Sequence, residues 1–174
     1  SNGNGMNDFR TQVRIRNPES LKQIRVYPYG IARNRLIETG RRFRVPVQVV
    51  DTVEEADVMV TLKNFYRRRP RLVLDAESRG MPIYVLRSNT VTQMENFLID
   101  LYNLEVDTSG NAQTLRAMQE ANEAIQRVLN GEDSVDLAPQ SAMLRRQQHD
   151  LVRRYNLMSH SYGQEPARHL RIFR

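Results

Sequence analysis

An α/β protein is predicted: a small parallel sheet covered by helices, then a shorter α+β unit with a three-stranded sheet and two helices. Three observations carry this. Between residues 24 and 105, short apolar runs alternate with stretches of helical spacing. Beyond residue 112 the order becomes helix, strand, helix, strand, strand. The charge also changes along the chain: residues 1–110 carry 17 basic and 13 acidic side chains (+4), residues 111–140 two and five (−3), and residues 141–174 seven and two (+5).

Residues 13–27, VRIRNPESLKQIRVY, set two alternating runs about Asn17-Pro18, so a hairpin or edge strand is expected there. IRVYP, from Ile24, is the first sheet strand, and Gly30 follows it. IARNRLIETGRRF has helical spacing, with Ile31, Leu36, Ile37 and Phe43 apolar. VPVQVV (45–50) is a short buried strand. Asp51 or Thr52 can cap a brief helix, TVEEA, whose first-turn acids suit the dipole. DVMVTL (57–62) is a strand, a helix covers 70–79 with Gly80 after it, and MPIYVLR (81–87) is the fourth strand. Thr90 caps a helix whose Val91, Met94, Phe97, Leu98 and Leu101 share a face. Mostly apolar strands alternating with helices mean parallel pairing with both faces covered. Residues 24–105 therefore form a small Rossmann-like α/β domain, preceded by a tail or edge hairpin at 1–23.

Residues 106–111 form a linker by composition, and residues 112–174 form the second domain. In TLRAMQEANEAIQRVLNG (114–131), Leu115, Met118, Ala121, Ala124, Ile125 and Val128 keep helical spacing. SVDL (134–137) is a strand, and SAMLRRQQHDLVRRY is a helix with Met143 or Leu144, Leu151, Val152 and Tyr155 on its apolar side. LMSHSY and RHLRIF are strands around the turn GQEPA.

Composition narrows the function. With 174 residues and 40% hydrophobic content the chain can build one ordinary domain or two small ones. Its apolar runs are too short to span a bilayer, and SNGNGMNDFR shows no signal-peptide core, residues 1–5 reading as a tag remnant or a cut linker. Cysteine is absent, and the three histidines lack zinc spacing, so neither a metal site nor a cofactor is expected. There is no G-x-x-x-x-G-K-[ST], no G-x-G-x-x-G and no G-x-S-x-G, so no catalytic activity is expected of this chain. The helix start after Gly30 could still hold an anion with Arg33 or Arg35. Glu54-Glu55 reads as a solvated helix face rather than a catalytic pair.

Arginine outnumbers lysine 24 to 2. Guanidinium forks grip phosphates and stack on bases, although a coding bias gives the same ratio. Coding bias does not explain clustering. In 145-RRQQHDLVRRYNLMSHSYGQEPAR-168, Arg145 and His149 lie four residues apart, on one helix face. Arg146, Arg153 and Arg154 add charge; Ser159 and Ser161 share one strand face; Gly163 and Pro166 shape a turn; Arg168 and Arg171 follow.

Arg145-x-x-x-His149 with Leu157, Ser159, Ser161, Gly163, Glu165, Pro166 and Arg168 at their spacings resembles the Arg-three-His (R-3-H) domain. The resemblance covers 112–174 and implies a three-stranded sheet with two helices against it, binding single-stranded RNA or DNA. VYPYGIARNRL, VEEADVMVTL and MPIYVLRSNTVTQM are similar to the segment preceding that domain in a cyanobacterial and plastid family of AAA-type ATPases related to a sporulation ATPase. That similarity implies an ATPase domain outside this chain as a partner, no hydrolysis here, and a cytoplasmic or plastid-stromal setting.

Taken as an interface, Arg145 contacts phosphate, with Arg168 and Arg171 as further candidates beside Arg146 and Arg153. His149 hydrogen-bonds phosphate or stacks on a base, or else bridges helix and sheet. Ser159 and Ser161 bind the backbone, and Tyr155 and Tyr162 are stacking candidates for bases. Arg168 could instead pair with Glu165 or cap the first helix, and Tyr155 could be core. A second patch, NFYRRRPRL, interleaves Arg67, Arg68, Arg69 and Arg71 with aromatics, as a nucleic-acid surface or a solvated helix end. The alternative to nucleic-acid binding is a docking module of an ATPase.

Overall fold

The computed structural model describes residues 11–15 and 18–174. The chain divides into two compact units, one spanning Val13–Glu105 and the other holding Val106–Arg174.

The first unit is built on four parallel strands, β2 (Ile24–Tyr29), β3 (Val47–Val49), β4 (Val58–Leu62) and β5 (Ile83–Leu86), in the order β3-β2-β4-β5. Helices α1 (Arg33–Phe43), α2 (Lys63–Arg67), α3 (Arg71–Ser78) and α4 (Val91–Tyr102) connect or follow them. Val26, Val58 and Val60 face Leu36, Phe43, Met94, Phe97 and Leu98 in one core. On the other side Met59 packs with Val53, Val73 and Ala76. A sheet with a core on each face is what mostly apolar strands require. The sequence-predicted parallel α/β sheet is therefore present, with TVEEA reduced to a 3-10 turn at Val53–Glu55.

Local chemistry fixes the ends. Thr90 caps α4, its hydroxyl accepting from Gln93 N at 3.3 Å. Gly40 lies inside α1 where a side chain would meet Val47 Cγ1 at 2.4 Å, so helix and strand approach closely only because no Cβ is present. Arg25 holds Asp57 by two side-chain bonds, at 3.3 and 3.0 Å, and these hold the Asp57 carboxyl below its ordinary value. A groove of about 440 Å³ lies between Leu21, Ile24 and Tyr102.

Of the hairpin or edge strand expected at 13–27, a short strand forms but not a hairpin with β2. The short strand β1 (Val13–Arg14) pairs with β6 (Glu105–Val106) and not with β2. Both edges of β2 are already taken by β3 and β4, so a hairpin partner has no free ladder. Asn17 of the expected turn lies outside the described residues.

The second unit runs α5 (Gly110–Leu129), β7 (Ser134–Asp136), α6 (Ala142–Arg154), β8 (Met158–Tyr162), β9 (His169–Phe173). Its sheet is antiparallel, in the order β7-β9-β8. Val135, Leu170 and Ile172 pack on Ala121, Ala124, Ile125 and Val128 of α5 and Val152 of α6. Both helices therefore cover the same face of the sheet. α5 begins four residues earlier than the apolar spacing alone indicates, because Ser109 caps it by accepting from Ala112 N at 3.3 Å. Of the expected linker at 106–111, residues 107–109 lie outside an element, since Val106 ends β6 and Gly110 begins α5.

Among the described residues no helix is long and apolar enough to cross a membrane, and no cluster of three or more His, Cys, Asp or Glu could hold a metal.

Candidate nucleic-acid interface

Helix α6 carries the motif. Ser141 caps it, its hydroxyl accepting from Leu144 N at 3.3 Å. Leu144 and Val152 anchor it in the core. The opposite side presents Arg146, Arg153 and Arg154, all exposed, and none of the three is in an ion pair among the described residues. Asp150 is exposed among them, so this side of the helix holds three guanidiniums to one carboxylate and remains a net cationic, anion-attracting surface.

Arg145 behaves differently from the sequence expectation. Its side chain is only 10% exposed, and Nη1 binds both Glu165 Oε1 at 2.7 Å and the Gln140 carbonyl at 2.8 Å. It is first a strut between α6 and the loop joining β8 to β9. Helix spacing places it beside His149, but it does not determine depth, and here the turn leans into the sheet. Nε and Nη2 meet no acceptor among the described residues.

His149 is half-buried, and its Nδ1 meets Ser159 Oγ of β8. It bridges helix and sheet. Ser159 and Ser161 share that helix-facing side, both half-buried. Strand alternation sends their neighbours the other way. Tyr162 lies on the opposite, outer face, together with Arg171, whose guanidinium stands 4.5 Å from the Tyr162 ring centroid. The single surface expected from sequence is thus two: His149, Ser159 and Ser161 on one side of the sheet, Tyr162 and Arg171 on the other.

Arg171 is anchored as well. Its Nε and Nη2 donate to Asp136 Oδ1 and Oδ2 at 2.5 and 3.2 Å. Those bonds hold the guanidinium above its usual value, so it stays cationic. Arg168 is half-buried and donates to the Gly163 carbonyl at 2.9 Å, neither pairing with Glu165 nor capping a helix. Tyr155 is exposed rather than core, because α6 ends at Arg154 and Leu157 takes the buried position instead.

In the first unit, Arg67, Arg68 and Arg71 are exposed and outside any ion pair among the described residues, on and beside α2. Arg69 is not free: both its Nη atoms bind Glu77, and its guanidinium lies 5.7 Å from the Tyr66 ring centroid. Arg33, considered for an anion, is engaged by Asp51 at 2.7 Å and by the Val49 and Val50 carbonyls. Doubly wound sheets take ligands beyond the strand C-termini where the strand order reverses, here between β2 and β4. At that point Phe65 of α2 stacks edge-on against Tyr29, centroids 5.4 Å apart. A Cβ on Gly30 would meet the same ring at 2.4 Å. Phe65 thus occupies the β2 side of the crevice.

Sequence reasoning missed the outer sheet face as a surface. The alternation in MSHSY and HLRIF was the available signal.

Comparison with known proteins agrees with the division into units. Residues 113–174 match the R-3-H domain, in general a module that binds single-stranded nucleic acid. Residues 24–102 match a family described as Phosphotyrosine protein phosphatase. The chain contains no cysteine, so it offers no thiolate nucleophile for phosphoryl transfer. It is 29% identical over 158 residues to "Uncharacterized protein ycf45" of Porphyra purpurea, covering 85% of this chain and 28% of that relative. The chain thus spans well under a third of the length of the relative it matches. No solved structure matches.

Proposed function

We propose that this chain, with its R-3-H domain, binds single-stranded RNA or DNA through α6 and the strand beside it, with no chemical step of its own. The observation that carries the reading is the coincidence of the R-3-H match with three exposed guanidiniums, Arg146, Arg153 and Arg154, on the motif helix, none in an ion pair among the described residues. These attract the phosphate chain. Arg145 offers Nε and Nη2 of its fork, and His149 and Ser159 hold β8 against the helix. Anisotropy titration of labelled single strands at several salt concentrations tests it. Affinity falls as salt rises, with a log–log slope of about −0.7 per phosphate neutralised. Weak binding that ignores salt defeats the proposal.

The first unit has a separate proposed role. Phe65 on the β2 side of its crevice favours docking to other protein over binding a small molecule. Because the relative is more than three times the aligned length, we propose an ATPase domain of the same polypeptide as the docking partner. Sedimentation of the chain with and without such a domain tests this: no shift in mass rejects it.

A further inference from the structure

We propose that the outer face of the β7-β9-β8 sheet is a stacking platform for unpaired nucleobases, with Tyr162 and His160 as its contact rings. It rests on the nucleic-acid reading and adds a site on the side of the sheet away from the motif.

Geometry supplies the argument. Register places Asp136, Arg171 and His160 side by side across three strands, and Ser134, Phe173 and Met158 in the neighbouring row. Both helices cover the other face; on this one Met158 is 58% exposed, Tyr162 is 39% exposed and His160 is exposed, while His169 beside Tyr162 is buried. Large apolar and aromatic groups in contiguous exposure on a sheet mark a contact surface more than a solvated one. These rings are also held in place. Asp136 grips Arg171 by two bonds. Arg171 lies over the Tyr162 ring, and the His160 ring meets Tyr162 edge-on with centroids 4.8 Å apart. A ring fixed before binding loses little freedom when a base arrives.

Charge selects the occupant. An apolar protein helix would seat badly on a row containing a guanidinium, an imidazole and a carboxylate. An unstacked base suits it: its π-face matches Tyr162 and His160, and its phosphate chain is drawn by Arg153 and Arg154 in the last turn of α6, a few residues before β8 begins. The small number of aromatics fits sequence-tolerant stacking rather than base-edge readout.

The test compares oligouridylate and oligodeoxythymidylate with abasic strands of the same length, by anisotropy at fixed salt. Wild type binds the base-bearing strands more tightly than the abasic ones. Tyr162→Ser weakens binding to base-bearing strands about 5- to 150-fold, leaves abasic binding unchanged and keeps the salt slope. Tyr162→Phe restores the loss. Replacing Arg146, Arg153 and Arg154 by glutamine weakens binding to every strand alike. If Tyr162→Ser binds like wild type while the arginine variant fails, the platform is wrong and the helix interface stands. If wild type binds no strand, both fall.

Discussion

Arg145 serves the fold in addition to its proposed contact with a nucleic-acid strand. Its two bonds from Nη1 tie α6 to the β8–β9 loop while the side chain is nearly buried. Arg145→Ala is therefore expected to lower stability by about 1.5 kcal/mol, the low end for a bond to a charged group because Glu165 is largely exposed. Arg146→Ala, at an exposed position without an ion pair among the described residues, should leave the melting temperature within about a degree or two while still weakening strand binding. Thermal melts of the two variants check this. Tyr102 gives a pH signature. Burial pushes its phenol up to about 12, above the ordinary 10.0. A raised folded value favours the protonated form, so its contribution is complete below pH 10 and is lost as pH rises towards 12. Melting temperature should fall across that window, and Tyr102→Phe should lack this part of the fall. What sequence conveyed at this scale was residue type and spacing, not depth. It placed Arg145 and His149 on one turn, but the lean of that turn into the sheet is a packing outcome.

At the scale of elements, the caps and the alternation carry the site. Ser141 supplies the side-chain cap of α6, so Ser141→Ala is expected to cost about 1 kcal/mol and fray the turn holding Arg145 and Arg146. Amide exchange should quicken in that first turn and not in α5. Most elements were legible. Strands β2 to β5 read directly from their apolar runs, and helix-strand-helix-strand-strand order held in the second unit. Two elements were not. Five-residue α2 is too short for a periodic signal, and it depends on Phe65 packing against Tyr29 and Gly30. The pairing of β1 with β6 joins segments about ninety residues apart, which no local pattern encodes. Strand faces were legible in principle. Taking Ser161 and Tyr162 as one surface overlooked that adjacent strand residues point apart.

At the scale of the whole molecule, excess charge is concentrated where binding is proposed: the last 34 residues carry +5, against +6 for the entire chain. Removing Arg146, Arg153 and Arg154 should flatten the salt slope by up to about 2, near 0.7 for each phosphate no longer neutralised, and should do so equally for every base composition. A change that depended on sequence would point to base-edge readout instead. Phe65, standing at the reversal of the strand order, has a consequence for the first unit. Where kindred architectures keep a mouth, this one keeps a stopper. Systematic mutagenesis should therefore find that changes at Tyr29, Gly30 and Phe65 are felt only as lost folding. Changes of behaviour in a properly folded protein should map to outward-pointing positions such as Arg67, Arg68 and Arg71.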